Sequence, residues 1–412
     1  MGGILDKMYV GADTAQESCP PGADCGNPAD AKVPKSETPS SPPDLPQPIP
    51  RTTAHIIPPI TDDLPRGGEP EGGDSKVVVF GAGNFGTCLA DHLADIGNRV
   101  TIWARDNAVV QSINENHRNL KYMKDVELSS NINATLTIDA SLLLSVTVAI
   151  FSIPTQNMRS VLEHVKPFLR PDHLLIFVNK GIEISTGLLP SDIAIDVLGM
   201  EMGARAVFMS GPSFAIEIVK RQPTGVTVAS SSRARAHRTQ RLFHTPHFRV
   251  YDVPDVVGVE VAGALKNVIA IASGACTGMG FQMNTRAAVI TRGLAEIARF
   301  GVAMGAQPIT FAGLAGVGDL FLTCTSEKSR NFTVGYRMGK GETLDEITKT
   351  LGSVAEGVGT TEAAWELAKK LDVDAPLCDA VHSVLYRGVK VEDAIRKLMG
   401  REAAPEMRGI VE

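Results

Sequence analysis

The sequence is poor in the groups that mark several protein classes. Its six cysteines, Cys19, Cys25, Cys88, Cys276, Cys324 and Cys378, are scattered over 412 residues. They show neither a disulfide-framework spacing nor a metal-ligand spacing, and fit a reducing compartment. No dense basic run is present, and the net charge is −6, which argues against a nucleic-acid partner. The most apolar long stretch, Val256–Gly274, carries Glu260, Lys266 and Asn267, so no membrane span is expected. A basic start followed by an apolar run is also lacking, and no secretory signal is expected. His237, His244 and His247 lie in an arginine-bearing stretch, residues 233–249, whose spacing does not suit a metal ion. A metal site is not expected, and no nucleophile elbow stands out.

Proline is concentrated at one end. Residues 1–74 hold 14 of the 25 prolines, with twelve acidic residues against five basic ones. The run Pro42–Pro50 favours polyproline II, and such a composition cannot bury enough surface to offset its ordering entropy. A disordered tail over 1–74 is expected. It lacks the arginine-rich, acid-poor character of a transit peptide, so a cytoplasmic protein is expected, with organelle targeting by the tail left open.

From Lys76 the character changes. Lys76–Phe80 reads as a strand that runs straight into Gly81, Gly83 and Gly86, spaced G-x-G-x-x-G, and then into a helix over 85–97. A glycine turn between strand and helix lets backbone N–H groups approach a pyrophosphate, aided by the helix N-terminus. The alternative is a tight turn that binds nothing. Further strands are expected over 99–104, 146–152, 174–178, 206–209, 225–229 and 248–251, with helices near 107–116 and 156–169. This alternation predicts a mostly parallel, doubly wound sheet over 75–255. After Val256 the apolar periods are helical (256–274, 286–304, 343–351, 358–371, 376–386, 391–399), which predicts an all-helical domain over 256–412.

Lys266 is the most informative single residue. It lies in Gly258–Ser273, apolar on nearly every side, and is the only Lys or Arg between Arg249 and Arg286. A helix hydrophobic all round is buried, and a buried lysine without a partner has a lowered pKa. That suits a proton shuttle working near neutral pH. The alternative is a lysine that reaches the surface or pairs for structure. Lys180 falls at a strand end, where ligands of such sheets gather, as does the Gly211–Ser213 turn. Asp319, in a glycine-rich turn, either orients a lysine or caps a helix. Ser329, Arg330 and Asn331 together offer a planar fork, an amide and a hydroxyl suited to phosphate.

These segments, in this order, resemble the NAD(P)-dependent glycerol-3-phosphate dehydrogenase family from about Lys76 to Glu356, and more weakly to Leu398. Gly81-Ala82-Gly83-Asn84-Phe85-Gly86-Thr87 is similar to its first cofactor loop. Asn179-Lys180-Gly181, Gly211-Pro212-Ser213-Phe214-Ala215, Leu265-Lys266-Asn267, Gly318-Asp319-Leu320, Ser329-Arg330-Asn331 and Val354-Ala355-Glu356 match its later motifs. The resemblance implies a Rossmann-type sheet, a helical second domain, a nicotinamide dinucleotide (NAD or NADP) and a homodimer. It also implies reduction of dihydroxyacetone phosphate to sn-glycerol 3-phosphate. Lys266 would then be the general acid and base, with Lys180 polarising the reacting oxygen and Asp319 orienting substrate and lysines. Gly211, Ser213, Ser329, Arg330 and Asn331 would hold the substrate. Gly81, Gly83, Asn84, Phe85, Gly86, Lys180, Ala215, Arg330, Val354 and Glu356 would contact the cofactor.

The end of the second strand reads Trp103-Ala104-Arg105-Asp106. Arg105 favours the 2′-phosphate of NADP, whereas Asp106 could accept from the 2′-hydroxyl of NAD. Both remain open, and dual use is the expectation. Two other classes compete: a β-hydroxyacid or ketopantoate reductase, which needs no phosphate clamp, and a non-catalytic nucleotide sensor, which needs only the glycine loop.

Overall fold

A computed structural model of the chain describes residue 73 and residues 75–352, 354–406 and 408–410. The proline-rich segment, with Cys19 and Cys25, lies outside the described residues. Eight strands form one sheet: β1 (Lys76–Phe80), β2 (Arg99–Trp103), β3 (Ile132–Thr135), β4 (Val148–Phe151), β5 (Leu174–Phe177), β6 (Val207–Ser210), β7 (Thr224–Ala229) and β8 (Phe248–Val253). Their spatial order is β3-β2-β1-β4-β5-β6-β7-β8. Every pairing is parallel except β6 with β7. Strands β1, β4 and β5 are buried along nearly their whole length and read as continuous apolar runs, as expected for a sheet covered on both faces.

Four phenylalanines form a ladder beneath the crevice. Phe80, Phe151, Phe177 and Phe208 are register neighbours on β1, β4, β5 and β6. Their rings stack in sequence at 4.9, 4.7 and 5.4 Å between centroids. Each such pair adds roughly 0.5–1.5 kcal/mol beyond its buried area. Three of them occupy the last position of their strands, so the ladder underlies the carboxyl end of the sheet. The strand order reverses between β1 and β4, the position at which such sheets open a ligand crevice.

The second half is helical. Its centre is the 23-residue helix Val256–Gly278, buried at nearly every position. By length and composition it is the one described helix that could cross a membrane, but 94% of its apolar window is buried within the protein. It packs against the helix Arg330–Gly339 at backbone distance. A Cβ at Gly274 would stand 2.0 Å from the carbonyl oxygen of Phe332, and one at Gly335 would stand 1.9 Å from that of Ile271. Small residues here set how near the start of the second helix lies to the first.

Several elements differ from expectation. The first helix ends at Asp95, because Gly97 takes a φ of +97° and turns the chain toward β2. The span 156–169 divides into a 3₁₀ turn, a helix over Met158–Val165 and a second 3₁₀ turn containing Pro167. Strand β3 and the helices Pro190–Leu198, Asp319–Thr325 and Arg330–Gly339 are additions to the expected set.

Candidate active site

The three glycines after β1 each answer a different steric demand. Gly81 has φ +115°, and a Cβ there would stand 2.2 Å from the carbonyl oxygen of Ser152. At Gly86 a Cβ would stand 2.0 Å from the carbonyl oxygen of Gly81. These two let the turn close against β4 and let the helix seat on the turn. At Gly83 an added Cβ meets nothing within 4 Å, so the space above it is open. Gly83 is also the N-cap of the helix Asn84–Asp95, and no side chain caps that end. An uncapped N-terminus facing open space is an anion site of the kind a dinucleotide pyrophosphate needs.

That space belongs to a cleft of about 560 Å³ between the sheet and the helical half. Gly83, Asn84, Phe85, Lys180, Ser213 and Ala215 line its sheet side, and Lys266, Ser329, Arg330, Asn331, Val354 and Glu356 line its helical side. Twelve of the residues singled out from sequence, far apart in the chain, therefore share one cavity. Gly81 and Gly86 sit behind the loop, and Gly211 behind Ser213, whose hydroxyl donates to its carbonyl at 2.8 Å. A second hollow of about 390 Å³ among the last three helices holds none of these residues. Ion pairs of Lys397 with Asp379 and Arg401 with Asp374 bridge it.

At the floor of the cleft two lysines share one carboxylate. Lys266 Nζ lies 2.7 Å from Asp319 Oδ1, and Lys180 Nζ lies 2.8 Å from Asp319 Oδ2. Lys266 also donates to Thr323 Oγ1 at 2.8 Å, and that hydroxyl donates to the Asp319 carbonyl one turn before it at 2.6 Å. Lys180 donates further to the Gly211 carbonyl oxygen at 3.2 Å. Of the readings open for Lys266, the buried lysine proves to have two partners, Asp319 and Thr323. Its pKa is nevertheless lowered from 10.5 to about 8. Burial is the main cause, Asp319 opposes it, and the charge of Lys180 adds to it. Burial pushes Asp319 up, but the charges of Lys180 and Lys266 outweigh it and hold the carboxyl below its ordinary value. Asp319 is only 1% exposed and lies behind the lysines, away from the cleft surface. It begins the helix Asp319–Thr325 and orients both cations. Thr323 went unnoticed in the sequence; its signal is the four-residue offset from Asp319 on a helix.

Above the lysines, the N-terminus of the helix Arg330–Gly339 faces the cleft. Ser329 caps it, accepting from the Phe332 N–H at 3.2 Å, which leaves its hydroxyl proton to donate. Asn331 Oδ1 accepts from the Gly357 N–H at 2.9 Å, so its amide N–H₂ is the end left for a ligand. Arg330 is exposed. Glu356, at the opposite lip, has its carboxyl pushed up to about 7, chiefly by burial and despite the charges of Arg330 and Lys180. Ser329, Arg330 and Asn331 thus offer donors for an anionic group in the same cleft as the lysine pair.

At the outer end of the crevice, Arg105 is exposed just past β2. Asp106 has two partners there. Its Oδ1 accepts from the Ala108 N–H at 3.0 Å as the N-cap of the helix Asn107–Asn116. Its Oδ2 accepts from Lys121 at 2.8 Å.

Comparison with known proteins agrees with this geometry. The model of the NAD-dependent glycerol-3-phosphate dehydrogenase N-terminus matches residues 76–236, and that of the C-terminus matches residues 255–396. The glycerol-3-phosphate dehydrogenase [NAD(P)+] of Bacillus licheniformis is 46% identical over 338 residues, covering 82% of this chain and 97% of the relative. That of Bacillus subtilis is 45% identical over 336 residues, with 82% and 97% covered. The crystal structure of glycerol-3-phosphate dehydrogenase from Coxiella burnetii superposes with a TM-score of 0.76 at 31% identity, over 79% of this chain and 99% of that one. D-mandelate dehydrogenase, at 14% identity and a TM-score of 0.52, shares the fold alone. The chain, an NAD(P)-dependent oxidoreductase, belongs to the NAD-dependent glycerol-3-phosphate dehydrogenase family.

Proposed function

We propose that this chain interconverts dihydroxyacetone phosphate and sn-glycerol 3-phosphate, with Lys266 as the proton donor for reduction. The observation that carries this reading is the pair of lysines on Asp319, Lys266 buried and Lys180 half-buried, sharing one cleft with the phosphate-suited group of Ser329, Arg330 and Asn331.

The nicotinamide cofactor, when bound, supplies or accepts the hydride at substrate C2. Gly83, Asn84 and Phe85, at the uncapped helix end, would hold its pyrophosphate. Ala215, Val354 and Glu356 would line the rest of its path, and Arg105 would face its adenosine ribose. Ser213, Arg330 and Asn331 grip the substrate, the last two at its phosphate, and binding energy there fixes the reacting carbon over the lysines. Lys180 stabilises negative charge as it develops on the C2 oxygen. Lys266 gives its Nζ proton to that oxygen, and the neutral amine is recharged from solvent through the cleft. In the reverse direction the neutral amine takes the hydroxyl proton. Asp319 positions both lysines and touches neither reactant.

Residues 75–255 would form the dinucleotide-binding domain and 256–412 the substrate-binding domain. We further infer a cytoplasmic homodimer. The free, buried cysteines Cys88, Cys276, Cys324 and Cys378 support a reducing compartment. The reading is tested by supplying dihydroxyacetone phosphate with NADH or NADPH and following absorbance at 340 nm. Loss of absorbance is expected, and much less with unphosphorylated dihydroxyacetone. No loss with either cofactor would overturn it.

A further inference from the structure

Lys180 stands at the root of a loop that is gripped by the segment leaving the neighbouring strand. Strands β4 and β5 pair in parallel, Phe151 beside Phe177, so the chain after each emerges side by side at the carboxyl end of the sheet. The amide of Gln156 spans the loop. Its Nε2 donates to the Ile182 carbonyl at 2.7 Å, and its Oε1 accepts from the Ile184 N–H at 3.0 Å. Arg159, one turn further on, sets its fork on Glu183, with Nε donating to Oε1 at 3.1 Å and Nη2 to Oε2 at 2.9 Å. Glu183 is only 4% exposed and accepts from the Thr186 hydroxyl at 2.5 Å. The remaining nitrogen of Arg159 pairs with Asp196 on the helix Pro190–Leu198, which fixes the fork from a second side. Gly181 lets the loop close on its neighbour, since a Cβ there would stand 2.9 Å from Thr155 Oγ1.

Resting on the reaction proposed above, we propose that Gln156, Arg159 and Glu183 are positioning residues that place Lys180 for charge stabilisation at the substrate C2 oxygen. The three lie outside the residues that line the cleft, so they act through Lys180 and not on a reactant. A lysine is a point charge on a flexible stem, and its ammonium has a fixed place only when both ends are held. Asp319 Oδ2 and the Gly211 carbonyl hold the tip, at 2.8 and 3.2 Å. The clamp holds the root. The Gln156 amide grips a carbonyl and an N–H two residues apart, as the backbone of a paired strand would, and this fixes the loop's register. The Arg159 fork on Glu183 adds the directional hold that a bidentate pair has and a single contact lacks. The ordering of the loop is completed on folding, so no reorganisation is left for the moment when charge develops on the oxygen.

The test is a double-mutant cycle on the full-length protein, read as kcat and KM for dihydroxyacetone phosphate at saturating cofactor. In Gln156→Ala and in Glu183→Gln the kcat should fall about 10- to 100-fold, the cost of a misplacement of about 1 Å. The KM should stay within about twofold, because the lost interaction is made in the transition state. In a Lys180→Ala background the same two substitutions should cost nothing further, since the group they position is gone. A merely structural clamp would lower the unfolding midpoint in both backgrounds and leave kcat per folded molecule unchanged. Unchanged kcat in both single variants would therefore overturn the proposal, as would an equal fold-loss with and without Lys180. Gln156 is exposed, so Gln156→Ala carries the cycle alone if Glu183→Gln does not fold. If the intact protein turns over no dihydroxyacetone phosphate, the reaction reading itself falls, and this proposal with it.

Discussion

Lys266 Nζ lies 2.7 Å from Asp319 Oδ1, so a buried cation on one helix meets a buried anion at the start of another. Removing the anion leaves two lysines without their counter-charge. Asp319→Ala should lower stability by about 3–5 kcal/mol, the usual loss when one partner of a buried pair is deleted. Asp319→Asn, which keeps the shape, should lose turnover more than it loses stability. Chemical denaturation and kcat, measured on both variants, check this; a neutral effect on both would remove Asp319 from its positioning role.

The lowered pKa of Lys266, about 8 against 10.5, gives opposite pH trends in the two directions. Reduction needs the protonated amine, so its kcat should fall as pH rises through about 8. Oxidation needs the neutral amine and should rise over the same interval. Stability follows the same group. Between about 8 and 10.5 the unfolded chain binds more protons than the folded one, so stability contributed here rises with pH. Lys266→Met should lack that rise. Parallel pH profiles in both directions would contradict the assignment.

Arg330→Ala should raise the KM for dihydroxyacetone phosphate by about 10- to 100-fold, the worth of a hydrogen bond to a charged group. The KM for unphosphorylated dihydroxyacetone should hardly change. Equal effects on both substrates would place Arg330 outside the phosphate rim.

Gly335→Ala tests whether helix spacing sets the site. The added Cβ would stand 1.9 Å from the Ile271 carbonyl oxygen, a backbone atom that cannot rotate away. A loss of about 1–3 kcal/mol is expected from overpacking, with a higher KM because Ser329, Arg330 and Asn331 ride on the displaced helix. Unchanged stability and KM would contradict the tight approach.

What the sequence disclosed depended on whether the signal was local. The helices Pro376–Tyr386 and Val391–Met399 follow from apolar spacing alone. The helix Arg330–Gly339 was hidden because part of its inner face is glycine, which carries no apolar period. Strand β3, four residues long, is too short to show alternation. Lys266 stood out because a charge in an apolar helix is a local anomaly. Its pairing with Asp319 does not follow from spacing, which leaves that acid as either a lysine partner or a helix cap, since Asp319 is 53 positions from Lys266 and 139 from Lys180. Asp106 shows the converse: its competing role as a helix cap appears only when the bonds at both of its oxygens are known.

The proton-donor role of Lys266 is tested most directly by comparing the intact protein with Lys266→Ala in two measurements on the same preparations. These are oxidation of the nicotinamide cofactor by dihydroxyacetone phosphate at 340 nm, and cofactor binding by fluorescence. Turnover should fall by about 10²- to 10⁴-fold, the scale of general acid catalysis, while binding stays within about twofold. Turnover retained in Lys266→Ala, or binding lost in step with it, would contradict Lys266 as the proton donor.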